Sequence, residues 1–218
     1  MDEIKTDLSN STIDACIQHA SDVLAIQLGL VEDKGYDFAP EFKDMTTQLY
    51  LFGVVWRFAE SLKVGGNARD TAFSALEEML IRDGMRRNSA RKRVTFLKQM
   101  SQVADGRNAL AVAIGYQSQS GDNSLVEVFD HYVDDFQVSG DFWRLYDRTK
   151  KTMLYGGLIV AFVVIWIITL YLPGNSTIAI FAASLMAAAL FVVPVFLIGL
   201  LVYKVKIKNA KNSTSSTT

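Results

Sequence analysis

Glu127, Asp130, His131, Asp134 and Asp135 crowd one short segment, and the chemistry such a set could perform is metal ligation. On a helix Glu127, His131 and Asp135 stand at i, i+4 and i+8 and share a face. A carboxylate-bridged centre in a helical bundle needs Glu-x-x-His pairs on two helices and carboxylates on two others. The chain holds two histidines and no second copy of the pattern, so a solvated acidic face is the preferred reading and no metal or other cofactor is expected. Cys16 and His19 lie three apart on a helical stripe and could form a thiolate–imidazole pair, yet a lone cysteine is far more often a buried structural residue. Gly65-Gly66-Asn67 ahead of a helix has the form of an anion cradle but lacks the Lys and Ser/Thr of a phosphate-binding loop, and reads as a helix–helix turn. One cysteine excludes a disulfide framework and a Cys-rich zinc module. No catalytic constellation emerges, and the chain reads as non-enzymatic.

The sharpest charged feature is basic. Arg86, Arg87, Arg91, Lys92, Arg93, Lys98 and Arg107 are opposed between Gly84 and Arg107 by Asp105 alone, while the segments on either side are acidic. Such a helix could bind anionic lipid head groups or an acidic protein partner. Nucleic acid is not expected, because the surrounding domain is net acidic and contains no nucleic-acid module. The plainer alternative is a solvated face balanced by the domain's own acidic helices.

Location is written in the charges. The formal net charge of −1 hides an uneven distribution: every acidic residue lies at or before Asp147, and no charged residue occurs between Thr152 and Tyr203. A charge in hydrocarbon costs about 2.5–3.5 kcal/mol on the insertion scale, so a gap of this length in a chain 21% charged marks membrane. The turn-forming cluster at 173–177 divides it into spans at 153–172 and 178–203, each able to cross a core of roughly 30 Å. The second is longer than needed, which predicts tilt, a bend at Pro194 or a projecting end. Trp143, Arg144, Arg148, Lys150 and Lys151 precede the first span as interface anchors, and Lys204 and Lys206 follow the second. The turn carries no Lys or Arg, so the positive-inside rule predicts both termini in the cytoplasm. Composition suggests a bacterial inner membrane. Within the spans Ala179, Ala183 and Ala187 recur every four residues, a spacing that lets helices approach by hairpin closure or self-association. Neither span holds an Asp, Glu, Lys, Arg, His, Asn or Gln, which favours an anchor over an ion pathway.

The elements that must hold these features are helices. A 50% hydrophobic chain is not mainly disordered, and apolar residues recur at helical rather than strand spacing. After a flexible lead at 1–10, a cytoplasmic all-α domain of six to seven helices is expected over 11–140. Its first helix begins near Ser11, with Ser11 and Asp14 as a capping box, and buries Ile13, Cys16, Ile17, Ala20, Val23, Leu24 and Leu28. Further helices are expected at 49–62, apolar all round and therefore central, and at 68–82, 89–103, 108–116 and 124–136. Asp141 caps a basic, aromatic neck at 141–152 that leads into the membrane hairpin. A basic, then Ser/Thr-rich tail at 204–218 is expected to be disordered beyond Lys211. The architecture suggests an adaptor or scaffold that holds its domain at the membrane, in contact with the lipid bilayer, for another protein, a second copy of itself, or both. The rival is an oligomeric membrane effector or channel-like protein whose helical domain is a sensor.

Overall fold

A computed structural model describes residues 2–62, 67–102, 106–119, 121–135, 138–171, 174 and 176–214. Among them the chain is all-helical: eight helices and no strand. They are α1 (Asp2–Lys34), α2 (Pro40–Ser61), α3 (Ala68–Arg82), α4 (Arg87–Met100), α5 (Gly106–Gln117), α6 (Ser124–Asp130), α7 (Gly140–Tyr171) and α8 (Thr177–Thr214). The chain divides into two compact units, one ending at Asp135 and the other starting at Phe136.

The helical unit is organised around α2. Every residue from Leu49 to Val55 is buried, as an all-round apolar helix requires. Burying side chains such as Leu49, Phe52 and Val55 contributes about 1.5–3 kcal/mol each. The helix starts nine residues earlier than the apolar run suggests, because Pro40 occupies its first position, where a fixed φ and a missing N–H cost nothing. Helix α1 begins at Asp2 rather than Ser11. No Gly or Pro interrupts residues 2–28, so Ser11 and Asp14 fall inside the helix and form no cap. It ends at Lys34, where Gly35 takes a φ of 64°. Its buried face follows the expected stripe through Cys16, Ile17 and Ala20, then continues through Gln27 and Val31 while Leu28 is left exposed.

Helices α3 and α4 pack on each other and on α2, with Ala72, Phe73 and Leu76 of α3 and Ala90, Val94 and Leu97 of α4 buried. Phe52 stacks on Phe73 at 4.0 Å between ring centroids. Helix α5 lies against α2 on the other side, and α6 closes α1 and α5. An aromatic cluster of Tyr36, Phe38, Phe42 and Phe129 seals the α1–α2 connection. The turn glycines Gly65 and Gly66 lie outside the described residues, as do Val103 at the expected end of the fourth helix and Asp105 of the turn that follows.

The second unit is an antiparallel helical hairpin. Neck and first span form one helix, α7, capped by Ser139, whose hydroxyl accepts from the Phe142 N–H at 3.3 Å, because Gly140 and not Asp141 opens the helix. Ser176 caps α8 in the same way, accepting from Ala179 N–H at 3.3 Å. Both helices are long and apolar enough to cross a membrane. Pro194 sits inside an uninterrupted α8, which runs on through the basic segment to Thr214 rather than ending near Lys211; residues 215–218 lie outside the described set. The packing is made by small residues on one seam. A Cβ on Gly156 would collide with the Phe191 ring, one on Gly157 would meet Val192 Cγ2 at 3.0 Å, and one on Gly199 would meet Thr149 Cγ2 at 3.1 Å. This register sets the excess apolar length of α8 beside the neck: Arg144 and Lys204 lie level, each five residues, roughly 7.5 Å, beyond the Thr149–Gly199 crossing.

Candidate interaction surfaces

The structure splits the basic helix into two sets of cations. Ala90, Val94 and Leu97 bury one side of α4, and the polar residues flanking that side meet acidic or polar groups of neighbouring helices. Arg91 pairs with Glu77 at 3.7 Å and Lys98 with Asp70 at 3.3 Å, both acids belonging to α3. Arg93 Nε donates to Gln48 Oε1 at 2.7 Å, and its guanidinium lies 5.9 Å from the Phe96 ring centroid. Lys98 also approaches the Phe73 ring, at 5.5 Å. These are partly exposed pairs of the kind that contribute at most about 1 kcal/mol each. Their consequence is electrostatic: half of the expected basic face is answered within the fold.

Arg86, Arg87 and Lys92 are exposed and make no ion pair among the described residues. Arg86 precedes α4 and Arg87 opens it, on the rim of a polar hollow shared with Asp14, Glu77, Glu78 and Arg82. Lys92 lies on the outer strip of the helix, in a shallow groove with Thr95, Gln99 and the partly exposed Phe96. Exposed cations, one of them beside an accessible aromatic ring, suit an acidic surface that brings its own apolar contact.

The other candidate constellations do not assemble. Helix α6 stops at Asp130: His131 caps it with its N–H still on the Glu127 carbonyl at 3.3 Å, but the tighter turns that follow take Asp135 out of the helical register. Carboxylates at the negative end of a helix oppose its continuation, and Asp130, Asp134 and Asp135 accumulate there. Among the described residues no group of three or more His, Cys, Asp or Glu side chains is placed to hold a metal ion. Asp130 instead accepts from the Tyr36 hydroxyl; burial first, then this carboxylate, pushes the phenol up to about 12. Phe136, expected at the end of the sixth helix, lies outside the described residues. Cys16 is fully buried and burial raises its thiol pKa, the opposite of what a nucleophile needs. His19 stacks on Phe58 at 4.2 Å, and its pKa is lowered by burial against the opposing pull of Asp22.

On the hairpin, Trp143, Arg144, Arg148 and Lys151 lie with Asp147 and Tyr155 along one face of α7. Arg144 is held by Asp141 at 2.6 Å and Lys151 by Asp147 at 2.7 Å. Arg148, Lys150 and Lys204 are exposed without an ion pair among the described residues, and Lys206 lies on the final turns of α8. Ala183 and Ala187 are half-buried beside Ser184, which is fully within the hairpin seam, while Ala179 is exposed. The tighter contacts belong to Gly156, Gly157 and Gly199. A glycine pair in a span otherwise rich in β-branched residues is the sequence signal for them. No family model, curated protein or solved structure matches the chain.

Proposed function

We propose that the protein is a membrane-anchored, non-enzymatic adaptor that holds its helical unit at the cytoplasmic face and recruits an acidic protein partner through the outer side of α4. The observation that carries this reading is the set Arg86, Arg87 and Lys92, left exposed without an ion pair among the described residues after the acids of α3 have engaged Arg91 and Lys98, with Phe96 accessible beside Lys92. The α7–α8 hairpin supports the anchor, since its spans contain no charged side chain and its outer surface is almost wholly apolar. Lysines and arginines flank the spans at the end bearing both termini and are missing from the 173–177 turn, which supports the cytoplasmic orientation.

Affinity purification of the full-length protein from native membranes in mild detergent tests this. A stoichiometric acidic protein is the expected companion, and reversing charge at all three positions (R86E, R87E, K92E) should lower its recovery roughly tenfold or more. The same variant should keep the native helical signal, because none of the three side chains makes an ion pair among the described residues. A homo-oligomer with no second protein would overturn the adaptor reading. Ion leakage on expression, abolished by bulky residues at Ala183 and Ala187, would then place the membrane effector first.

A further inference from the structure

The hairpin carries a feature that anchoring does not use. An apolar groove of about 880 Å³ runs along α7 and α8 on the side of the basic flanks. Its depth comes from small residues on both helices, Gly157 and Ala161 facing Ala188 and Gly199. Among the described residues no carboxylate or amide lines it, and the charged lining residue is Lys150. That lysine is exposed and has no ion pair among the described residues, whereas its neighbour Lys151, turned to the face of Asp147, is neutralised. Lys150 also stands just outside the uncharged stretch, where the head-group region of a bilayer would begin.

We infer that this groove is a binding site for one anionic phospholipid, with an acyl chain between α7 and α8 and the phosphate on Lys150. The inference rests on the reading of the hairpin as membrane-inserted. The slot has the two-part chemistry of such a lipid: a dry channel of small and aliphatic side chains, ending at a cation that lacks a counter-charge. A second copy of the chain suits it less. Every copy inserts in the same orientation, so a neighbour would bring its own Arg148, Lys150 and Lys151 to the same depth, like charge against like. The recess on the other face of α7, which holds Arg148, is smaller, about 480 Å³, and includes the carboxylate of Asp147 in its lining.

Native mass spectrometry of the full-length protein, released from detergent with either phosphatidylglycerol or phosphatidylcholine of identical chains, reads the site directly. The native protein should retain the anionic lipid in preference to the zwitterionic one, with one equivalent bound most tightly. Lys150→Gln should lower retention of phosphatidylglycerol roughly fivefold and leave phosphatidylcholine unchanged. Lys151→Gln, equal in formal charge change but on the other face, should leave the preference intact. Ala161→Phe, which fills the channel one turn along α7 from Gly157, should lower retention of both lipids. Equal retention of the two lipids by the native protein, or equal effects of the Lys150 and Lys151 variants, would overturn the site. Either result from a protein that still resists alkaline extraction from membranes removes the lipid site alone. A protein that extracts freely would remove the anchor reading as well.

Discussion

Gly115→Ala lowers the stability of the helical unit by about 3 kcal/mol or more, although helix propensity by itself favours alanine by about 1 kcal/mol. The reason is the approach of α2 and α5, whose backbones touch. A Cβ on Gly115 would be driven into the Tyr50 carbonyl oxygen, 2.9 Å from its carbonyl carbon and 3.2 Å from its Cα. Gly53 makes the reciprocal contact, its added Cβ meeting the Val112 carbonyl oxygen and lying 2.7 Å from Tyr116 N. The obstacles are backbone atoms of two packed helices, so no rotamer change relieves them; α5 has to move away from α2 and forfeit the burial between them. Against a total of about 5–15 kcal/mol for a domain, that loss is severe. Chemical denaturation of the full-length protein in detergent, followed by helical circular dichroism, measures it. Gly29→Ala supplies the control of opposite sign: nothing lies within 4 Å of its Cβ position on α1, so it should be neutral or gain up to about 1 kcal/mol. Because one displacement of α5 relieves both clashes, the Gly53→Ala/Gly115→Ala double variant should lose less than the two singles together. A stabilising Gly115→Ala would mean that the two helices are not in backbone contact.

These glycines show where sequence reasoning stops. Hydrophobic period and charge are local signals, and they place the central helix at 49–62, the third helix at Ala68 to Arg82, and the two apolar spans. Helix ends depend on residues outside the apolar stripe. Pro40 begins α2 ahead of any apolar run, Ser139 replaces Asp141 as the cap of α7, and accumulated carboxylates end α6 at Asp130. The basic run was legible as a run, but its division was not. Whether Arg91 meets Glu77 while Lys92 meets nothing is decided by a rotation of about 100° between adjacent helical residues and by which helix lies beside them. Gly53 and Gly115 are 62 residues apart in the chain, and only the packing of α2 on α5 makes them a pair. A buried glutamine is harder still. Its period position on α1 was available, yet its polarity disguised it, and Leu28 was read into the stripe in its place.

That residue carries the second large effect: Gln27→Leu costs the helical unit about 2–4 kcal/mol, a fall in Tm of about 10 °C, despite the gain in apolar character at a site only 1% exposed. Asn123 at the N-cap of α6 makes no side-chain capping bond, and the work is done by groups from elsewhere. The Gln27 side-chain oxygen accepts from Leu125 N–H at 3.0 Å, while Asp122 Oδ1 accepts from Ser124 N–H at 3.1 Å and from its hydroxyl at 2.6 Å. The Gln27 amide in turn donates to the Asp122 carbonyl at 2.7 Å and to Oδ1 at 3.0 Å. Ser124 Oγ also lies 2.7 Å from the buried Tyr50 hydroxyl, so α1, α2 and α6 meet in one polar network. Leucine fills the volume but strands the Leu125 N–H without water or acceptor, which is the expensive half of a broken hydrogen bond. Acid supplies a second readout. Burial pushes the Asp122 carboxyl up, but bonds from Ser124, Gln119 N–H and Gln27 outweigh it and hold the pKa below the ordinary 3.8. The stability this gives is present above that value and is lost as pH falls through the depressed folded-state pKa. Gln27→Leu removes one of the bonds that depress it, so the gap between native and variant proteins should hold from about pH 7 to about pH 4 and narrow as pH falls further, to about pH 2. A gap that stays constant over that range would show that Gln27 acts on Leu125 alone, and a variant as stable as the native protein would dissolve the network as a structural element.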